Sequence, residues 1–202
     1  MSFTTNSENT TSTTPTVSAG RKFTTFQLAL VAVMAAVICV LGPLSIPIPI
    51  SPVPITLTNL AIYVTVCLLG WKLGTVSYLI YLLIGIAGLP VFSSFSSGLG
   101  KLLGPTGGYL IGFLPMAILC GLVFEKTQNR LLQTAGLIVG TLVLYLLGTA
   151  WLAIEAQLSF YQALWAGVIP YIPGDLVKII LAVLIGPVIK KRLKASGLLM
   201  TP

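Results

Sequence analysis

Apolar residues run along this chain in long blocks separated by short polar punctuation. Neither the two-residue alternation of a half-buried strand nor the narrow stripe of a soluble amphipathic helix is present. Residues 26–46 carry no charge and predict a first helical span. The segment SIPIPISPVP at 45–54 has proline at 47, 49, 52 and 54, which removes helix and favours an extended, polyproline-like course. Residues 55–69 and 73–89 predict the second and third spans, joined at Gly70-Trp71-Lys72 as a tight helical hairpin. A Gly- and Ser-rich loop follows at 90–106, then a fourth span at 107–124 and a charged turn at 125–130. Residues 131–154 make a fifth span, 155–164 a more polar connection, and 165–189 a sixth. Most of these blocks approach the about 17–25 residues needed to cross the hydrocarbon core. The fold class predicted is an all-α integral membrane protein with six transmembrane helices.

Composition strengthens that picture. Of 202 residues, 7% are charged, against about 25% in a soluble domain, and the mean hydropathy is +1.02. The domain plan is a disordered Ser/Thr-rich tail at 1–22, a membrane domain at 23–192 and a short tail at 193–202. The first 20 residues include 11 Ser or Thr, too polar to bury a core. The net charge of +7 gathers at the ends of apolar blocks, where membrane topology rather than nucleic-acid binding puts it. Arg21, Lys22, Lys72, Lys126, Arg130, Lys190, Lys191, Arg192 and Lys194 fall on one side, and Lys101 alone on the other. The positive-inside rule then predicts cytoplasmic termini and outward-facing proline loop, glycine loop and 155–164 connection. Irregular backbone near a membrane persists where it lines a cavity, so a loop-covered, outward-opening site is expected.

The chain has no His, which excludes His-activated nucleophiles and histidine metal sites. Cys39, Cys67 and Cys120 lie within apolar blocks without metal-ligand spacing and read as small buried hydrophobes. The sharpest polar signal is Asp175 and Lys178, three residues apart on one helical face inside the sixth block. Each charge at mid-bilayer costs about 2.5–3.5 kcal/mol on insertion scales. The pair is either a structural ion pair with a snorkelling lysine or a contact for a small polar head group carrying N–H and C=O. Six glycines lie between 98 and 112, but neither a Walker A loop nor G-x-G-x-x-G fits them. No ATPase site is expected. Thr56, Thr58, Asn59, Tyr109 and Tyr171 fall near the outward ends of spans, where they would line a cavity; interfacial tyrosines are common in any case. Ala32 and Ala36, with Ala29 one turn earlier, form a small-residue face suited either to packing within the chain or to docking a membrane partner.

Three segments, PVPITL at 52–57, GLGKLLGPTGGYLIGF at 98–113 and IPYIPGDLVK at 169–178, together resemble the BioY family. These are the biotin-specific S components of energy-coupling-factor transporters, and the resemblance extends over about residues 26–192. It implies a six-helix S-component fold in the plasma membrane, a vitamin pocket facing outward, and no enzymatic activity, cofactor or metal. It places the biotin ureido ring near Asp175 and Lys178, with Ser96 and Gly98 of the glycine loop approaching the ligand. It implies that Ala32 and Ala36 face a transmembrane coupling protein and that two ATPase subunits complete the complex, with a solitary homo-oligomer as the other arrangement. Lys101 is the candidate partner for the valerate carboxylate. The alternative functions are an S component or secondary permease for another small vitamin, an intramembrane enzyme using Asp175 as acid or base, and a non-transporting scaffold. The last two leave the buried charges poorly explained.

Overall fold

A computed structural model describes residues 25–49 and 51–196. The Ser/Thr-rich stretch at 1–22, with Arg21 and Lys22 of the charge count, and the end of the chain from 197 lie outside those residues. Helix α1 is Thr25–Leu41, and the proline segment after it returns through two short paired strands, β1 (Ser45–Ile46) and β2 (Ile55–Thr56). They run antiparallel with Ser45 opposite Thr56 and Ile46 opposite Ile55. The expected extended segment is thus closed into a pin. Helix α2, Thr58–Ile86, covers the second and third predicted spans and is broken at Gly70, where φ is 77° and ψ is −176°, a region open essentially to glycine alone. A Cβ on Gly74 would lie 3.1 Å from the Val66 Cα; on one straight helix residues eight apart are about 12 Å apart. The two arms of α2 therefore fold back as the predicted hairpin. At the break Glu125 Oε1 accepts the Trp71 N–H at 3.0 Å, a carboxylate at the start of a helical arm.

The glycine loop contains a 3₁₀ turn at Ser93–Phe95 and a short helix, α3 (Leu99–Leu103), before α4 (Gly107–Lys126) and α5 (Arg130–Glu155). Structure in the connection at 155–164 exceeds the expectation. Ser159 and Gln162 form a reciprocal capping box that starts α6, Phe160–Gly167. The sixth crossing starts later than predicted, because Val168 departs from helical geometry and Pro170 and Pro173 prevent a helix from running through. Helix α7, Ile172–Ala195, then carries the chain through to its basic end, so residues 193–195 are helix rather than tail. Pro187 lies inside α7 and has no N–H for the Val183 carbonyl one turn before it. The Arg130 guanidinium donates to that carbonyl instead.

The six crossings are α1, the two arms of α2, α4, α5 and α7. By length and composition α2, α4, α5 and the stretch Phe160–Ala195 can each cross a membrane, and α1 is the shorter apolar helix. Helix α4 lies between α2 and α5, while α1 and α7 pack on α2. The core is rich in tyrosine: Tyr63, Tyr78 and Tyr81 are buried, and Tyr81 meets the edge of Phe92. Such groups need internal partners, and Tyr78 finds one in the Leu110 carbonyl at 2.7 Å.

Candidate ligand-binding site

The three long connections converge on one cavity, whose enclosed space and open mouth together come to about 620 Å³. The proline pin contributes Val53, Pro54 and Thr56, the serine loop contributes Ser93, and the approach to α7 contributes Gly167 and Tyr171. These connections are fastened to one another. Ser94 donates its backbone N–H to Ser45 Oγ at 2.8 Å, and the Tyr171 hydroxyl is hydrogen-bonded to Ser51 Oγ at 2.8 Å and to the Val53 carbonyl.

The polar centre lies on α7. Asp175 and Lys178 are 6% and 8% exposed, and Lys178 Nζ lies 2.9 Å from Asp175 Oδ1. A buried ion pair tolerates its desolvation only when further hydrogen bonds satisfy both partners. Here Asn59 Nδ2 donates to the same Oδ1 at 2.7 Å, the Tyr145 hydroxyl donates to Oδ2 at 2.5 Å, and Lys178 donates to the Thr56 carbonyl at 2.7 Å. Four elements thus meet at one carboxylate and its ammonium: α2, β2, α5 and α7. Such a cluster presents acceptor and donor positions side by side, the pattern that suits a neutral planar head group with N–H and C=O. Leu110, Phe113 and Leu144 add apolar wall.

Of the residues singled out in the sequence, Asp175, Lys178, Asn59, Tyr109 and Tyr171 all line this cavity. The hydroxyl of Tyr109 is engaged, donating to the Gly167 carbonyl at 2.9 Å, so Tyr109 offers its ring. Ser96, Gly98 and Lys101 do not line the cavity. Ser96 Oγ donates to the Ser93 carbonyl at 2.7 Å, and Gly98, with φ at 83°, donates its N–H to the Gly85 carbonyl at 2.7 Å. Lys101 is half-buried on α3, where partial burial holds its ammonium below the ordinary lysine range. All three belong to the loop that covers the site. Ala29, Ala32 and Ala36 lie on an exposed face of α1, turned away from the core residues Val31, Met34, Ala35 and Ile38.

Several residues of the cavity are not distinguished by the sequence, the polar Tyr145 and Thr106 among them. Tyr145 vanished into an apolar block, although Thr141, Tyr145 and Thr149 mark a polar stripe at four-residue spacing that a search for helical periodicity finds. Thr106 read as the end of a loop, yet it forms the N-cap of α4 and part of the cavity wall.

A bundle of apolar helices with a buried, fully paired polar cluster in a cavity roofed by loops defines a multi-pass membrane protein with a small-solute site. Comparison with known proteins makes the class specific. The BioY family model matches residues 12–195, and the chain belongs to that family. It is 37% identical over 162 residues to the biotin transporter BioY2 of Lactococcus lactis, covering 80% of this chain and 88% of that one. It is 38% identical over 151 residues to the biotin transporter BioY of Thermotoga maritima, covering 72% and 86%. A crystal structure of the S component for biotin from an ECF-type ABC transporter superposes with a TM-score of 0.77 at 34% identity, covering 82% of this chain and 90% of the other.

Proposed function

We propose that this protein is the biotin-binding component of an ATP-driven, ECF-type importer in the plasma membrane. The observation that carries the reading is the buried cluster of Asp175, Lys178, Asn59 and Tyr145 at the wall of a loop-roofed cavity. Asp175 accepts the ureido N–H groups, Lys178 and Asn59 serve the ureido carbonyl, and Leu110, Phe113 and Leu144 cover the apolar part of the ligand. The loop carrying Ser96, Gly98 and Lys101 closes over the site, and Tyr171 and the ring of Tyr109 complete the wall. The protein captures biotin at the outer face and, with both termini in the cytoplasm, hands it inward as part of a complex with a transmembrane coupling protein and two ATPase subunits. The exposed Ala29, Ala32 and Ala36 face of α1 is the docking surface, because small side chains let a partner helix approach closely.

Calorimetric titration of biotin into the detergent-solubilised protein tests this. One saturable site is expected, with at least a hundredfold weaker binding in Asp175→Asn and in Lys178→Ala, and no binding of an unrelated vitamin. Truncating one member of a buried charged pair costs about 3–5 kcal/mol. Silence with biotin from a folded wild-type protein, or full affinity in both variants, overturns the reading.

A further inference from the structure

Asp175 is held from two sides. Asn59 of α2 donates to its Oδ1 at 2.7 Å, and Tyr145 of α5 donates to its Oδ2 at 2.5 Å. Both bonds form only if the two donors stand one carboxylate's width apart. Yet among the described residues α2 and α5 share no extensive face, and α4 packs against both. Their spacing at the level of the site needs another fixture.

One helical turn farther from the roofing loops, the same two helices are joined directly. Tyr63 follows Asn59 by four residues along the first arm of α2, and Thr141 precedes Tyr145 by four along α5. Residues four apart share a helical face and are about 6 Å apart along the axis. The Tyr63 and Thr141 hydroxyls lie 2.5 Å from each other. Both side chains are buried, at 0% and 5% exposed, and neither lines the cavity. Thr141 donates its one hydroxyl proton to the Leu137 carbonyl at 2.7 Å, so Tyr63 is the donor across the gap. The rung therefore has a direction, from Tyr63 to Thr141 to Leu137. A hydroxyl buried in apolar surroundings gives up its partner only at a penalty, and the rung resists sliding of α2 past α5. Thr65, whose hydroxyl donates to the Ala61 carbonyl of its own helix at 2.7 Å, imposes no such restraint.

We propose that Tyr63 and Thr141 are a positioning pair, whose bond sets the separation of α2 and α5 at which Asn59 and Tyr145 grip Asp175 together. The pair thereby tunes affinity for the ligand's head group without touching it. The inference rests on the reading of the ligand as biotin bound at Asp175 and Lys178.

The test titrates biotin into detergent-solubilised wild type, Tyr63→Phe, Thr141→Val, Thr141→Ser and Thr65→Val, with thermal unfolding of each. Tyr63→Phe and Thr141→Val are each expected to weaken binding about fivefold, the scale of one interhelical hydrogen bond in a membrane. Their combination should bind no more weakly than the weaker single variant, because both remove the same bond. Thr141→Ser keeps the hydroxyl and Thr65→Val loses one off the rung. Both should stay within about twofold of wild type, even where Thr65→Val lowers the Tm as far as Tyr63→Phe does. Adding Tyr63→Phe to Tyr145→Phe should weaken binding by less than about twofold further, since the rung then has no α5 donor left to place. Undiminished affinity in Tyr63→Phe or in Thr141→Val overturns the pair. So does a fivefold loss in Thr141→Ser or Thr65→Val, or full multiplication of the Tyr63→Phe and Tyr145→Phe effects. Either of the two rung variants decides the matter if the other fails to fold. If wild type itself does not bind biotin, the reading of the ligand fails instead.

Discussion

Asp175 illustrates how a residue that is costly in lipid becomes affordable in a protein. Oδ1 receives Asn59 and Lys178, and Oδ2 receives Tyr145. None of these donors comes from water. Removing the Tyr145 hydroxyl leaves a buried carboxylate oxygen short of a donor, at a cost of about 1–3 kcal/mol. Tyr145→Phe should lower the apparent Tm in detergent and weaken biotin binding by about tenfold, while an exposed change such as Tyr161→Phe does neither. Charges inside apolar blocks stand out in a sequence because their desolvation is so unfavourable, so Asp175 and Lys178 were legible. Asn59 was legible as a polar residue at the edge of a span. A tyrosine is apolar along most of its length, so nothing but the stripe with Thr141 and Thr149 distinguishes Tyr145 from its leucine neighbours.

Elements are legible where the backbone itself dictates a break. Gly70 marked the α2 hairpin because no other residue readily adopts its φ of 77° and ψ of −176°. The neighbourhood is also full, since a Cβ there would meet Glu125 Oε1 at 2.1 Å. Gly70→Ala should therefore destabilise the protein by about 1–3 kcal/mol, read as a drop in detergent thermal unfolding, and Glu125→Gln by less, because a neutral oxygen still accepts from Trp71. The capping box of α6 was visible in principle as Ser159 and Gln162, but an eight-residue helix leaves little periodicity to detect. Pro187 shows the opposite case. It looks like a helix breaker, yet α7 passes through it with Arg130 supplying the donor that proline lacks. That rescue comes from a residue 57 positions earlier in the chain, and no local reading of the sequence reveals it.

For the molecule as a whole, the number of crossings was legible because each block had to satisfy both membrane thickness and backbone hydrogen bonding. The meeting of the three long connections over one cavity was legible only as an expectation, since it depends on how the helices pack. The separation of roles is equally a property of the whole. The site lies among α2, α4, α5 and α7, and the alanine face of α1 points away from the bundle. A bulky residue on that face, Ala32→Trp, should abolish co-purification with the coupling protein and ATPase subunits and leave biotin affinity within about twofold, since distant sites behave independently. Loss of both together would mean that docking and binding share one surface.

The Asp175 and Lys178 pair has an electrical consequence. The carboxylate and ammonium are on one helix, 2.9 Å apart, and so travel as a dipole rather than as two charges. An isolated charge moved across a membrane exchanges about 2.3 kcal/mol with the field for every 100 mV, whereas a neutral pair exchanges almost nothing. Any displacement of α7 along the membrane normal leaves the cell's voltage unable to drive or oppose the empty site, and the charge of the bound solute becomes the part of the cavity's contents that the field can pull.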